Sequence, residues 1–109
     1  MPLASLDADE LKVVGECLRA AAYGPFFPDW EFSSLFGLSR QEVQVVADRF
    51  PNLDEDDDGP AEGNDDWLAI NNTFANLIGY PHGVTPSTWS QYISVSQPEL
   101  RSLYSRWKG

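Results

Sequence analysis

Carboxylates at alternating positions are the first feature of this chain with chemical potential. In 54-DEDDDGPAEGND-65, Asp54, Asp56 and Asp58 precede Gly59, the spacing with which a twelve-residue calcium-binding loop begins. The remaining ligands of such a loop are the Pro60 carbonyl, Glu62 and Asp65. The closing position argues against it, because Asp65 is shorter than the glutamate that normally binds calcium through both oxygens. Ala61 stands where a branched apolar residue normally pairs with a second loop, no second loop exists, and Pro51 interrupts the helix that should lead into Asp54. The alternative is a solvated charge run. Asp54, Glu55, Asp56, Asp57 and Asp58 are five consecutive carboxylates, whose mutual repulsion favours an extended, hydrated segment available to a basic protein surface.

Other reactive side chains are few. His82, the single histidine, lies in 80-YPHG-83 with no nucleophile, glycine-rich phosphate loop or metal-ligand spacing beside it, so it is expected to close a loop by hydrogen bonding. Cys17 is the single cysteine; it falls among apolar residues, reads as core, and leaves no internal disulfide possible. No catalytic residue, and hence no enzyme, is expected, and no cofactor is called for.

Charge narrows the class of partner. Seven basic residues stand against seventeen acidic ones, a formal net charge of −10 over 109 residues. Affinity for nucleic acid comes largely from Lys and Arg neutralising phosphates, so this balance disfavours nucleic acid and favours a basic protein. No apolar run reaches the eighteen or so residues of a membrane span, and MPLASLDADE lacks a basic stretch followed by an apolar one. A cytoplasmic location with no membrane partner is the expectation.

The elements that must position these groups are helices. Asp7 and Glu10 have capping-box spacing, and Leu11, Val14, Leu18 and Ala21 then recur at helical intervals up to Gly24, predicting a helix over about 8–23. A short helix is expected from Pro28 or Asp29 to Gly37. Ser39 and Glu42 form a second box that opens a helix over about 40–50, ended by Pro51. Trp67, Ile70, Phe74 and Leu77 mark one face of a helix over about 65–78, with Asp65 and Asp66 at its positive end. A short helical turn is expected over 87–93. Ser96 and Glu99 form a third box, before a last helix that buries Leu100, Leu103, Tyr104 and Trp107. The prediction is an all-α single domain over 1–109, with four main helices, one or two short ones and an acidic loop at 52–65.

Residues 29–50 resemble a helix-turn-helix, an αα-corner in which Gly37 takes the left-handed turn position and Leu38 packs beneath both helices. In that reading Arg40, Gln41 and Gln44, residue types that recognise base edges, open the second helix. Against it, residues 1–50 hold eight acidic and four basic side chains, and Glu42 and Asp48 lie on the would-be reading helix. A purely structural corner is the alternative.

Two polar and aromatic groupings complete the reading. Asn71, Asn72 and Asn76 interrupt a helix, and the last two share a face, either bonding a neighbouring loop such as 79–83 or facing a partner. Phe26, Phe27, Trp30 and Phe32 crowd one short segment; core burial is the default, but an exposed Phe27 or Trp30 would be an interface anchor. Together these features predict a small acidic protein-binding domain, of the kind of an immunity-type or inhibitor protein that occludes a basic surface. Its contact set would be Asp54, Glu55, Asp56, Asp57, Asp58, Glu62, Phe27 and Trp30. A calcium-stabilised domain using Asp54, Asp56, Asp58, Glu62 and Asp65 is the second reading, and a helix-turn-helix regulator the third.

Overall fold

A computed structural model describes residues 6–52, 65–80 and 82–108. Six helices follow one another among these residues: α1 (Ala8–Tyr23), α2 (Asp29–Phe36), α3 (Arg40–Arg49), α4 (Asp65–Gly79), α5 (Pro86–Tyr92) and α6 (Gln97–Lys108). The all-α prediction holds, with α2 and α5 as the short members. The segments 84-VTPSTW-89 and 91-QYISVS-96, the only runs with any strand character in the sequence, form α5 and its link to α6.

Local chemistry sets most of the boundaries. Asp7 Oδ1 accepts from the Glu10 backbone N–H at 2.8 Å and Glu10 Oε1 accepts from Asp7 N–H at 3.0 Å, satisfying two donors that the first turn of α1 leaves without partners. Ser39 and Glu42 do the same for α3, and Ser96 and Glu99 for α6. The start of α5 moves one residue forward from expectation, because Thr85 caps it and Pro86 supplies a preset first-turn geometry. Gly24 ends α1 in extended backbone rather than a left-handed cap; a Cβ there would lie 2.6 Å from the Ala20 carbonyl oxygen. Gly37 does take the left-handed conformation, at φ 68°, and Leu38 beside it is buried.

α1 is the central element, packed against α3, α4 and α5, while α4 also carries α2 on one side and α6 on another. Its C-terminal half is lined by Cys17, Leu18 and the buried run Ala20, Ala21 and Ala22, small residues that admit neighbours closely around the helix. Two aromatic groups fill the remaining space. Phe27, Phe32 and Phe36 pack together, the last two stacked at 4.3 Å. Phe74, Tyr104 and Trp107 join α4 to α6, with Trp67 at 5.6 Å from Trp107. Truncating a buried aromatic of this kind costs about 3–5 kcal/mol. Arg49 and Asp66, in contact at 2.5 Å, hold the end of α3 against the start of α4. No helix among the described residues is long and apolar enough to cross a membrane.

Candidate docking surface

Two of the three side chains that would read DNA in a helix-turn-helix, Arg40 and Gln44, bond to backbone of their own chain. Arg40 donates to the carbonyls of Ala21 (3.2 Å), Ala22 (3.4 Å) and Phe27 (2.5 Å), and its Nε donates to Asp29 at 2.7 Å. Gln44 donates to the Ala22 carbonyl at 3.2 Å. These contacts supply donors to carbonyls that the last turn of α1 cannot satisfy itself. The guanidinium also lies over the Phe32 ring, 4.4 Å from its centroid. Of the three residues, only Gln41 is exposed. The helix-turn-helix reading thus loses two of its three base-reading side chains.

The asparagines serve the same purpose at the other end of the corner. Asn72 Nδ2 donates to the Phe36 carbonyl at 2.6 Å, and Asn76 Nδ2 to the Leu35 carbonyl at 3.0 Å, capping the C-terminus of α2. Asn71 accepts from the Tyr104 hydroxyl at 2.6 Å, linking α4 to α6. Among the described residues their partners are the end of α2, a tyrosine and one another.

His82 closes its own loop. Its Nδ1 accepts from the Val84 N–H at 3.2 Å, so the opposite nitrogen, Nε2, carries the proton directed at the Leu77 carbonyl 3.3 Å away. Four residues after Leu77 stands Pro81, which has no N–H to continue the helical ladder; Gln97 Nε2 also reaches that carbonyl, at 3.1 Å. Trp89 stacks on the His82 ring at 5.8 Å, and the two contribute to a surface cleft of about 340 Å³ with Val84, Pro86 and Gln97. Cys17 is buried in α1, where loss of solvation pushes its thiol pKa far up and leaves it an inert core group.

The aromatic segment separates into inside and outside. Phe27 is 4% exposed, packed against Phe32, Phe36 and Tyr80, so it is removed from the predicted contact set: its ring completes the α2 core. Trp30 is 80% exposed, the most exposed large hydrophobic side chain among the described residues. One turn further along α2 on the same face lie Ser33 and Ser34, both exposed and too small to cover an indole.

Two acids flank Trp30 in sequence and are held from within. Asp29 gives one oxygen to Arg40, while its side chain stays 91% exposed. Glu31 Oε2 accepts from the Tyr80 hydroxyl at 2.5 Å, and this bond holds the Tyr80 phenol above its ordinary pKa. Sequence reasoning singled out Trp30 but not the partners of the two acids, which lie 11 and 49 residues away.

Three further arginines face carboxylates of the same chain, while Lys12, Arg101 and Lys108 are exposed. Arg19 faces Asp48, Arg49 faces Asp66 and Arg106 faces Glu10. Asp54, Glu55, Asp56, Asp57, Asp58 and Glu62 lie outside the described residues, and Asp65 is described only as the first residue of α4. Among the described residues no group of His, Cys, Asp and Glu is arranged to hold a metal ion. No protein-family model, curated protein or solved structure matches this chain.

Proposed function

We propose that the protein is a small acidic protein-binding domain that occludes a basic surface of a protein partner, in the manner of an immunity-type or inhibitor protein. The observation that carries this reading is the exposure of Trp30, at 80%, on a chain whose net charge is −10. An exposed tryptophan is suited to serve as an interface anchor, since tryptophan is enriched among binding hot spots. With seventeen acidic residues against seven basic ones, and with Arg40 engaged by carbonyls of its own chain, the outer field is expected to be acidic. Such a field steers a basic partner into encounter and fixes register, while the aromatic anchor supplies affinity. The run Asp54–Asp58 would add to the steering.

The test is direct binding of the purified chain to the products of the flanking reading frames in its native genome. Association is expected to slow at least about tenfold between roughly 20 and 300 mM salt, and the dissociation rate to rise in Trp30→Ala. A partner that binds with no salt dependence and no effect of Trp30→Ala would defeat the reading.

A further inference from the structure

We propose that α5 is a strap over Phe26 and that His82 is its acid-sensitive latch. Phe26 is buried, and the rings of His82, Trp89 and Tyr92 pack against it edge to face, with centroids at 5.4, 5.8 and 5.6 Å. Two of these three rings belong to α5. That helix has seven residues and buries none of them, so its hold on the core rests on the ring contacts and on its two ends. At the C-terminal end the cap residue, Ile93, is buried. At the N-terminal end the chain runs back to His82, whose ring stacks on Trp89.

The latch requires a neutral imidazole. Gly83, at φ 67°, turns the chain so that the Val84 N–H points back to His82 Nδ1, while Nε2 lies 3.3 Å from the Leu77 carbonyl. One nitrogen accepts and the other donates, which only the neutral ring can do; a proton on Nδ1 sets two donors against each other. Among the described residues no carboxylate bonds to the ring, and the cleft beside it is lined by uncharged residues, Ser96, Gln97 and Pro98 facing Val84 and Pro86. The titratable groups on the surrounding elements have partners of their own: Tyr80 bonds Glu31, Glu16 bonds Ser94, Glu99 bonds Ser96, and Tyr92 packs on Phe26. A cation is attracted to the Trp89 face, but that contact is weaker than the loss of a part-buried acceptor. Protons therefore bind the open form in preference. The closed strap is favoured above the pH at which a free imidazole titrates, about 6.5, and loses that advantage as pH falls through it. Opening carries the start of α5 away from Phe26, with the buried Ile93 as the hinge.

The experiment is amide hydrogen exchange of the full chain by NMR at about pH 7.5 and 5.5, corrected for the intrinsic pH dependence of exchange, with the His82 ring nitrogens followed in the same samples. At the higher pH the ring is expected in the neutral form protonated on Nε2. At the lower pH the opening constant of residues 86–93, relative to that of α1, is expected to be about tenfold larger, the factor by which a free imidazole gains protons over that window. His82→Phe keeps a ring against Trp89 but cannot titrate, so its α5 amides should open equally at both pH values. An unchanged opening constant in the wild type, or the same rise in His82→Phe, would overturn the latch. So would a wild-type ring that takes up its proton while α5 stays protected, a result that needs no variant.

Discussion

Arg40 Nη2 donates to the Phe27 carbonyl at 2.5 Å, joining the first turn of α3 to the connection between α1 and α2. Through the same guanidinium the Ala21 and Ala22 carbonyls are also satisfied, so one side chain anchors the ends of three helices. Arg40→Met keeps the apolar stem but leaves those carbonyls without donors. It is expected to destabilise the protein by about 2–3 kcal/mol. Arg40→Lys should recover only part of this, because an ammonium cannot spread its donors across the fork. Urea unfolding of the three proteins checks both statements; equal stability of wild type and Arg40→Met would refute the role.

Thr73 makes the opposite prediction. It is 1% exposed in the middle of α4, and its hydroxyl oxygen has no hydrogen-bond partner among the described residues. Thr73→Val replaces the hydroxyl by a methyl of similar size and removes an unsatisfied buried polar group. The substitution is expected to be neutral or to stabilise by up to about 1 kcal/mol. Thr73→Ala, which leaves a void, should be less stable than Thr73→Val. A marked loss of stability in Thr73→Val would refute this account of the hydroxyl.

The Tyr80–Glu31 bond has a pH signature. The carboxylate that accepts the phenol proton raises the Tyr80 pKa above its ordinary value of 10.0. A group whose pKa is higher folded than unfolded adds stability in full below the unfolded value and loses it as pH rises through the folded one. The contribution is therefore present at neutral pH and falls away above about pH 10. Tyr80→Phe should show a shallower decline of stability over that alkaline window, measured by chemical denaturation at stepped pH. Tyr23, bonded to Asp48, shifts in the same direction, so the double variant Tyr23→Phe, Tyr80→Phe should be flatter still.

Removing charge from the acidic segment tests its part in binding. Asp56→Asn, Asp57→Asn and Asp58→Asn together should leave folding intact, since like-charge repulsion falls. Association with a basic partner should slow and lose part of its salt dependence. Unfolding of the triple variant would show that the carboxylates make contacts the fold requires.

Calcium supplies an independent check on the same segment. A site with a dissociation constant of about 10⁻⁴ M would add roughly 2.7 kcal/mol of stability at about 10 mM calcium. The expectation is no gain beyond that given by matched magnesium. A calcium-specific rise in melting temperature, abolished by Asp54→Ala, would establish a metal site.

Helix positions were legible in this sequence because their signals are local. Asp7 and Glu10, or Ser39 and Glu42, stand three residues apart, and a capping box depends on little beyond that separation. The alternation of Leu100, Leu103 and Trp107 likewise announces a buried face before any neighbour is known. The fates of Phe27 and Trp30 were not legible. Both are large aromatics in one short segment, and burial at 4% against exposure at 80% depends on where Phe36 and Tyr80 arrive from other parts of the chain. The same holds for Arg40, Asn72 and Asn76. Composition marks them as polar groups suited to recognition, but whether they recognise a partner or a helix end of their own chain depends on which carbonyls come within about 3 Å. Those carbonyls lie 19, 36 and 41 residues away, a separation bridged by packing and not by helical period.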